Sequence, residues 1–119
     1  FLSKIQAMDF SVWLSTNGQF PQQIKSLTER FPNLANSYRF SIDGAKKETY
    51  ESIRKGGKYE KILESLEIIN FFNQGKINSN VFLSIDSILS LTNIDELPLF
   101  FKTFAKIHTL LCNSLYEIF

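Results

Sequence analysis

The chain has 119 residues, and 13 Lys and Arg against 12 Asp and Glu leave it a formal charge of +1, which excludes electrostatically driven nucleic-acid binding as the default reading. Apolar residues make up 44 %, with 12 Phe and only 5 Gly and 3 Pro, so a disordered or low-complexity chain is excluded too. A single Cys and a single His rule out an internal disulfide, a cysteine-rich metal site and a multi-histidine site built from these residues alone.

No uncharged apolar run approaches the roughly 18 residues that span a bilayer, and no basic-then-apolar leader opens the sequence, so the expectation is a soluble, cytoplasmic protein with no membrane partner. Phe1, Leu2, Ile5 and Met8 fall on one face of an opening helix, and the sequence closes on apolar Leu115, Tyr116, Ile118 and Phe119. Both ends read as cut from something longer.

Residues 10 to 14 alternate Phe10, Val12 and Leu14 against Ser11 and Trp13, which predicts a first strand ending at the turn signal Thr16-Asn17-Gly18. Pro21 suits a first helical position, and Ile24, Leu27 and Phe31 recur at helical spacing until Pro32 stops the helix. After the loop Asn33 to Asn36, alternating Tyr38, Phe40 and Ile42 predict a second strand that ends in Ser41-Ile42-Asp43-Gly44.

Residues 46 to 54 read as a short polar helix with Tyr50 and Ile53 as its apolar contacts, broken by Gly56-Gly57. A longer helix carries Tyr59, Ile62, Leu63, Leu66, Ile69 and Phe72 on one face, with Lys58, Glu60, Lys61, Glu64 and Glu67 on the other, and stops near Gly75. Val81 to Leu91 is apolar enough for a third strand buried on both faces, ending at Thr92-Asn93. Asn93 or Asp95 is placed to cap a helix whose stripe is Leu97, Phe100, Phe101, Phe104 and Ile107. Residues 110 to 118 read as a fourth strand. No repeat, linker or domain boundary divides the chain.

Strands alternating with amphipathic helices imply right-handed crossovers and a parallel sheet covered by helices, an α/β fold. Ligands of such folds sit at the carboxyl ends of the strands, and three successive strands here end in Thr16-Asn17-Gly18, Ser41 with Asp43-Gly44, and Thr92-Asn93. Hydroxyls, amides and a carboxylate are therefore expected on one rim.

Three runs at those ends carry a resemblance. Leu14-Ser15-Thr16-Asn17-Gly18, then Phe40-Ser41-Ile42-Asp43-Gly44 followed by Tyr50, Ile53-Arg54 and Gly57 to Leu63, then Asn93 to Glu96-Leu97, resemble consecutive strand-end signatures of the radical S-adenosylmethionine (radical SAM) superfamily. The resemblance is to the SPASM-type subgroup, whose members modify peptides or mature other enzymes, and it covers nearly the whole chain.

That resemblance implies a partial (β/α)6, TIM-like barrel, with residues 1–119 as its central part from about strand 3 to strand 6. It implies S-adenosylmethionine and a 4Fe-4S cluster as cofactors, an electron donor, and a peptide or protein substrate. The CxxxCxxC loop that holds the cluster in this superfamily is absent from the sequence, as is the cysteine-rich extension, and Cys112 alone cannot replace either. A whole barrel would need about twice this length. No catalytic residue and no metal ligand are assigned, and the piece alone is expected to be inactive.

By the same resemblance Thr16 and Ser41 match positions that bond the carboxylate and amine of the methionine moiety, as a hydroxyl can both donate and accept. Asn17 matches the same rim turn, Asp43 the acid of the SxDG signature, Arg54 a donor to the carboxylate, and Asn93 a further rim position.

Each residue has an ordinary structural role to weigh against this. Asn17-Gly18 is a turn dipeptide, Ser41 a solvated strand-end hydroxyl, and Asp43 a favourable charge before a helix. Arg54, Lys55 and Lys58 fit a solvated helix junction. Cys112 fits a small buried apolar residue, His108 a partner for a helix C-terminus, and Trp13 with the Phe-rich faces core or interface. The alternative function is a small non-catalytic α/β module that binds a nucleotide or anion, or a partner, at the same rim. A slice of an aldolase-like barrel is disfavoured, since no Lys sits at a strand end.

Overall fold

A computed structural model of the chain describes residues 3, 4, 8, 12–32, 35–74, 82–104 and 110–117. Four strands, β1 (Val12–Thr16), β2 (Ala35–Ser41), β3 (Phe82–Leu89) and β4 (Leu110–Glu117), form one sheet in the order β1-β2-β3-β4. Every neighbouring pair is parallel. Four α-helices fill the connections: α1 (Pro21–Arg30), α2 (Lys47–Ile53), α3 (Tyr59–Gln74) and α4 (Leu97–Phe104), with a 3-10 turn at Ile94–Glu96 before α4. The α/β architecture with parallel strands is thus as expected.

The first strand ends two residues later than the alternation suggested, because the ladder to β2 continues through Thr16, which pairs with Phe40. Thr16 belongs to the strand and the turn begins after it. β2 starts at Ala35, inside the stretch read as a loop, and α4 begins four residues after Asn93 behind the 3-10 turn. The opening-helix residues Phe1, Leu2 and Ile5, with Phe10, His108 and the side chain of Cys112, lie outside the described residues.

Strand order without reversal has a geometric consequence. Right-handed crossovers between successive neighbours all fall on the same face of the sheet, whereas a doubly wound sheet needs a reversal to cover both faces. The core agrees: Tyr38, Phe40, Leu83 and Ile85 of the sheet join Ile24 of α1, Tyr50 of α2, Ile62, Leu66 and Ile69 of α3, and Phe100 and Phe104 of α4 in one cluster, with Leu14 packed against it. Phe40, Ile62 and Ile85 are wholly buried there, each stabilising the fold by roughly 1.5–3 kcal/mol through area removed from water. Ser65 of α3 is buried in the same layer and donates to the Gly18 carbonyl at 2.8 Å, which fixes the turn after β1 against the helix.

Alternation sends the intervening residues to the other face: Trp13 and Ser15 of β1, Arg39 and Ser41 of β2, Ser84, Asp86 and Ile88 of β3. Ser15, Arg39, Ser41, Ser84 and Asp86 make most of this second face polar, and Trp13 on it is 72 % exposed. The expectation that β3 is buried on both faces holds for Leu83, Ser84 and Ile85 and fails beyond them, where Ile88 is exposed.

Burial pushes the Tyr38 phenol up to about 12. A folded-state value above the ordinary value near 10 means that the unfolded chain ionises first, so stability is unaffected below pH ~10 and falls as the pH rises toward 12. Urea titrations at stepped alkaline pH should show a decline of roughly 1 kcal/mol per pH unit in that window. Tyr38→Phe should reduce it, leaving the part that comes from Tyr50 and Tyr59, whose phenols burial also raises, and an unchanged slope in that variant would refute the assignment.

Candidate functional site

Parallel pairing brings the carboxyl ends of β1, β2 and β3 to one lip of the sheet, so Thr16, Ser41, Asp43 and Asn93 gather along it. They do not share one environment. Thr16 pairs with Phe40 and so lies on the helix-covered face, where its Oγ1 accepts a bond from the Gly18 amide at 3.0 Å. Ser41 sits one residue further along β2, on the polar face opposite Asp86. The two hydroxyls are neighbours along the lip with side chains on opposite faces. Asn17 is exposed, and its Oδ1 accepts from the Gln19 amide at 3.0 Å, so this pair of residues shapes the turn as the dipeptide pattern implies.

Asp43, Arg54 and Asn93 are joined in one bonded network. The Asp43 carboxylate is buried; Oδ2 accepts from Arg54 Nε at 2.7 Å and Oδ1 from the Ile88 amide at 2.9 Å. Asn93, also buried, donates through Nδ2 to the carbonyls of Asp43 and Ile88 at 2.8 Å each, while its Oδ1 accepts from the Ser90 amide at 2.8 Å. Asn93 therefore ties the end of β2 to the end of β3 and makes no side-chain cap bond to the following helix. Asp43 likewise spends its charge on Arg54 and the β3 backbone.

Glu96 completes the clamp from the far side of the 3-10 turn. Its Oε1 accepts from the amides of Ala45 and Lys46 at 3.1 and 3.0 Å, and its Oε2 accepts from the Thr49 hydroxyl. Both motif residues after β3, Asn93 and Glu96, thus hold the loop after β2 from about fifty positions away in sequence.

Beside this network a cleft of about 660 Å³ opens between the β1 turn and the junction of α2 with α3, bordered by Asn17, Asp43, Tyr50, Arg54, Lys55 and Lys61. Gln19 crosses one wall, donating to the Tyr50 hydroxyl at 3.0 Å and accepting from the Lys58 amide at 2.7 Å. Partial burial raises the Tyr50 phenol above its ordinary value, which keeps it protonated at neutral pH.

Two residues that sequence reasoning passed over stand on the polar face. Arg39 Nε lies 3.3 Å from Asp86 Oδ2, and Asp86 Oδ1 is buried without a hydrogen-bond partner. An unsatisfied carboxylate oxygen costs on the order of 1–3 kcal/mol and marks an acceptor waiting for a donor. The Arg39-Phe40-Ser41 and Ser84-Ile85-Asp86 alternation of the two strands held the signal, since polar residues at every second position of adjacent parallel strands share one face.

No family model and no curated protein matches the chain. Among the described residues there is no group of three His, Cys, Asp or Glu side chains that could hold a metal ion, and no helix long and apolar enough to cross a membrane.

Proposed function

We propose that the chain is the central part of a (β/α) barrel of the radical S-adenosylmethionine type, whose strand-end lip binds S-adenosylmethionine beside an iron–sulfur cluster held by residues outside these 119. One observation supports this reading above the rest. The sheet is wound in a single direction, so the helices pack on one face and leave the other without them, as on the inner side of a barrel wall.

The residues present do not fit the cluster, because one Cys cannot supply a three-thiolate set. They do fit the nucleotide. Asn17 and Ser41 supply an amide and a hydroxyl at the lip, and Arg54 a guanidinium at the cleft beside it. Asp43 and Asn93 act through others: they hold Arg54 and the β2–α2 loop in place. Thr16, turned to the helix side, shapes the turn that presents Asn17. The bound pair would supply reductive cleavage of the sulfonium to a 5′-deoxyadenosyl radical that takes hydrogen from a peptide or protein substrate, with electrons from a separate donor.

The second reading, a non-catalytic module for an anion or nucleotide, is favoured by the cations around the cleft. The coding sequence on the amino-terminal side of Phe1 separates the two. A CxxxCxxC loop in frame within some tens of codons is the expected result, and a start codon directly before Phe1 would reject the enzyme reading.

A further inference from the structure

We propose that the cleft between the β1 turn and the α2–α3 junction is a binding site for an oxyanion, phosphate or carboxylate. This rests on the anion-binding reading above and deepens it by naming the groups that would hold the ligand. Asp43 is the one acid on its border, and that carboxylate is 4 % exposed with both oxygens engaged by Arg54 Nε and the Ile88 amide. Its charge is turned inward. The cations are not: Arg54 keeps the rest of its guanidinium, at 32 % side-chain exposure, and Lys55 and Lys61 take part in no ion pair among the described residues.

The remaining polar groups add donors. The Tyr50 hydroxyl accepts from Gln19 and retains its own proton, and Asn17 uses only its oxygen in the turn. Gly56, with φ +86° and no atom within 4 Å of where a Cβ would stand, leaves the wall open beside Lys55. A pocket with two unpaired cations, a half-free guanidinium and surplus N–H and O–H donors attracts an acceptor-only ligand and repels a cation. Its volume of about 660 Å³ also accommodates the molecule that carries the anionic group.

Phosphate and carboxylate are distinguished by titrating the full 15N-labelled chain with inorganic phosphate in one arm and glutarate in the other, at constant ionic strength. Saturable shifts are expected at the amides of Arg54, Lys55, Gly56, Gly57 and Lys61. The double variant Lys55→Gln/Lys61→Gln changes two exposed side chains, should keep the dispersed spectrum of a folded chain, and should bind roughly tenfold more weakly. Saturation by phosphate alone assigns a phosphoryl ligand, by glutarate alone a carboxylate ligand, and by both the shared chemistry. Absence of saturable shifts at these amides in both arms, or equal affinity of the double variant, would overturn the site, whereas the cofactor reading stands or falls separately on formation of 5′-deoxyadenosine.

Discussion

Gly44→Ala is expected to destabilise the fold by about 3 kcal/mol, the upper end of ordinary overpacking, and to lower the melting temperature by on the order of 10 °C. A Cβ at this position would stand 2.6 Å from the Tyr50 amide nitrogen and 3.0 Å from its Cα. Both are backbone atoms of α2 and cannot step aside as a flexible side chain would. The loop must move instead, and it is held by Glu96 on the next two amides and by Asn93 on the preceding carbonyl. Gly56→Ala is the control: its positive φ carries a backbone penalty of about 1 kcal/mol, yet the space around it is empty. Thermal melts of the two variants should differ clearly, and equal losses would show that close approach of loop to helix is not what Gly44 provides.

Asp43→Ala should cost about 3 kcal/mol, because it leaves the Ile88 amide without its acceptor and Arg54 without its partner. Arg54 is partly exposed, so Arg54→Ala alone exposes the asymmetry: the buried carboxylate is then the uncompensated charge. A double-mutant cycle in urea should return a coupling energy of about 1–2 kcal/mol between the two positions. Additive losses would mean that the short Arg54–Asp43 contact is incidental and that Asp43 serves only the β3 backbone.

These effects also mark where the sequence stops being informative. Strand parity was legible: Val12, Leu14, Tyr38 and Phe40 alternate toward the helices, and the order of strands with helices between them implied parallel pairing. The polar turn residues identified which end of the sheet matters. What the local pattern could not carry was the destination of the polar side chains. Asp43 precedes a helix and so reads as a dipole partner or a ligand group, yet its bonds go to Arg54 and to Ile88, the latter 45 residues away. Asn93 resembles a helix cap, but a carbonyl 50 residues earlier claims its amide.

The division of hydroxyls between faces escaped for a related reason. Thr16 and Ser41 end adjacent strands, but their parity differs by one residue once the register of β1 on β2 is set, and register is a property of the pairing rather than of either strand. The same register puts Arg39 and Asp86 on the polar face, where they form an ion pair that neither strand announces alone. Long-range hydrogen bonds thus tie part of the presumed ligand set, Asp43 and Asn93, into the scaffold that holds the lip, while Asn17 and Arg54 stand on the border of the cleft.

The central proposal is that this lip serves a sulfonium nucleotide. The direct measurement is anaerobic reconstitution of the full-length protein containing this chain with iron and sulfide, followed by reduction in the presence of S-adenosylmethionine and chromatography for 5′-deoxyadenosine. Formation of 5′-deoxyadenosine together with cluster absorbance, reduced at least severalfold by Ser41→Ala while the absorbance is retained, is the predicted result. A full-length protein that acquires no cluster and releases no 5′-deoxyadenosine would contradict it.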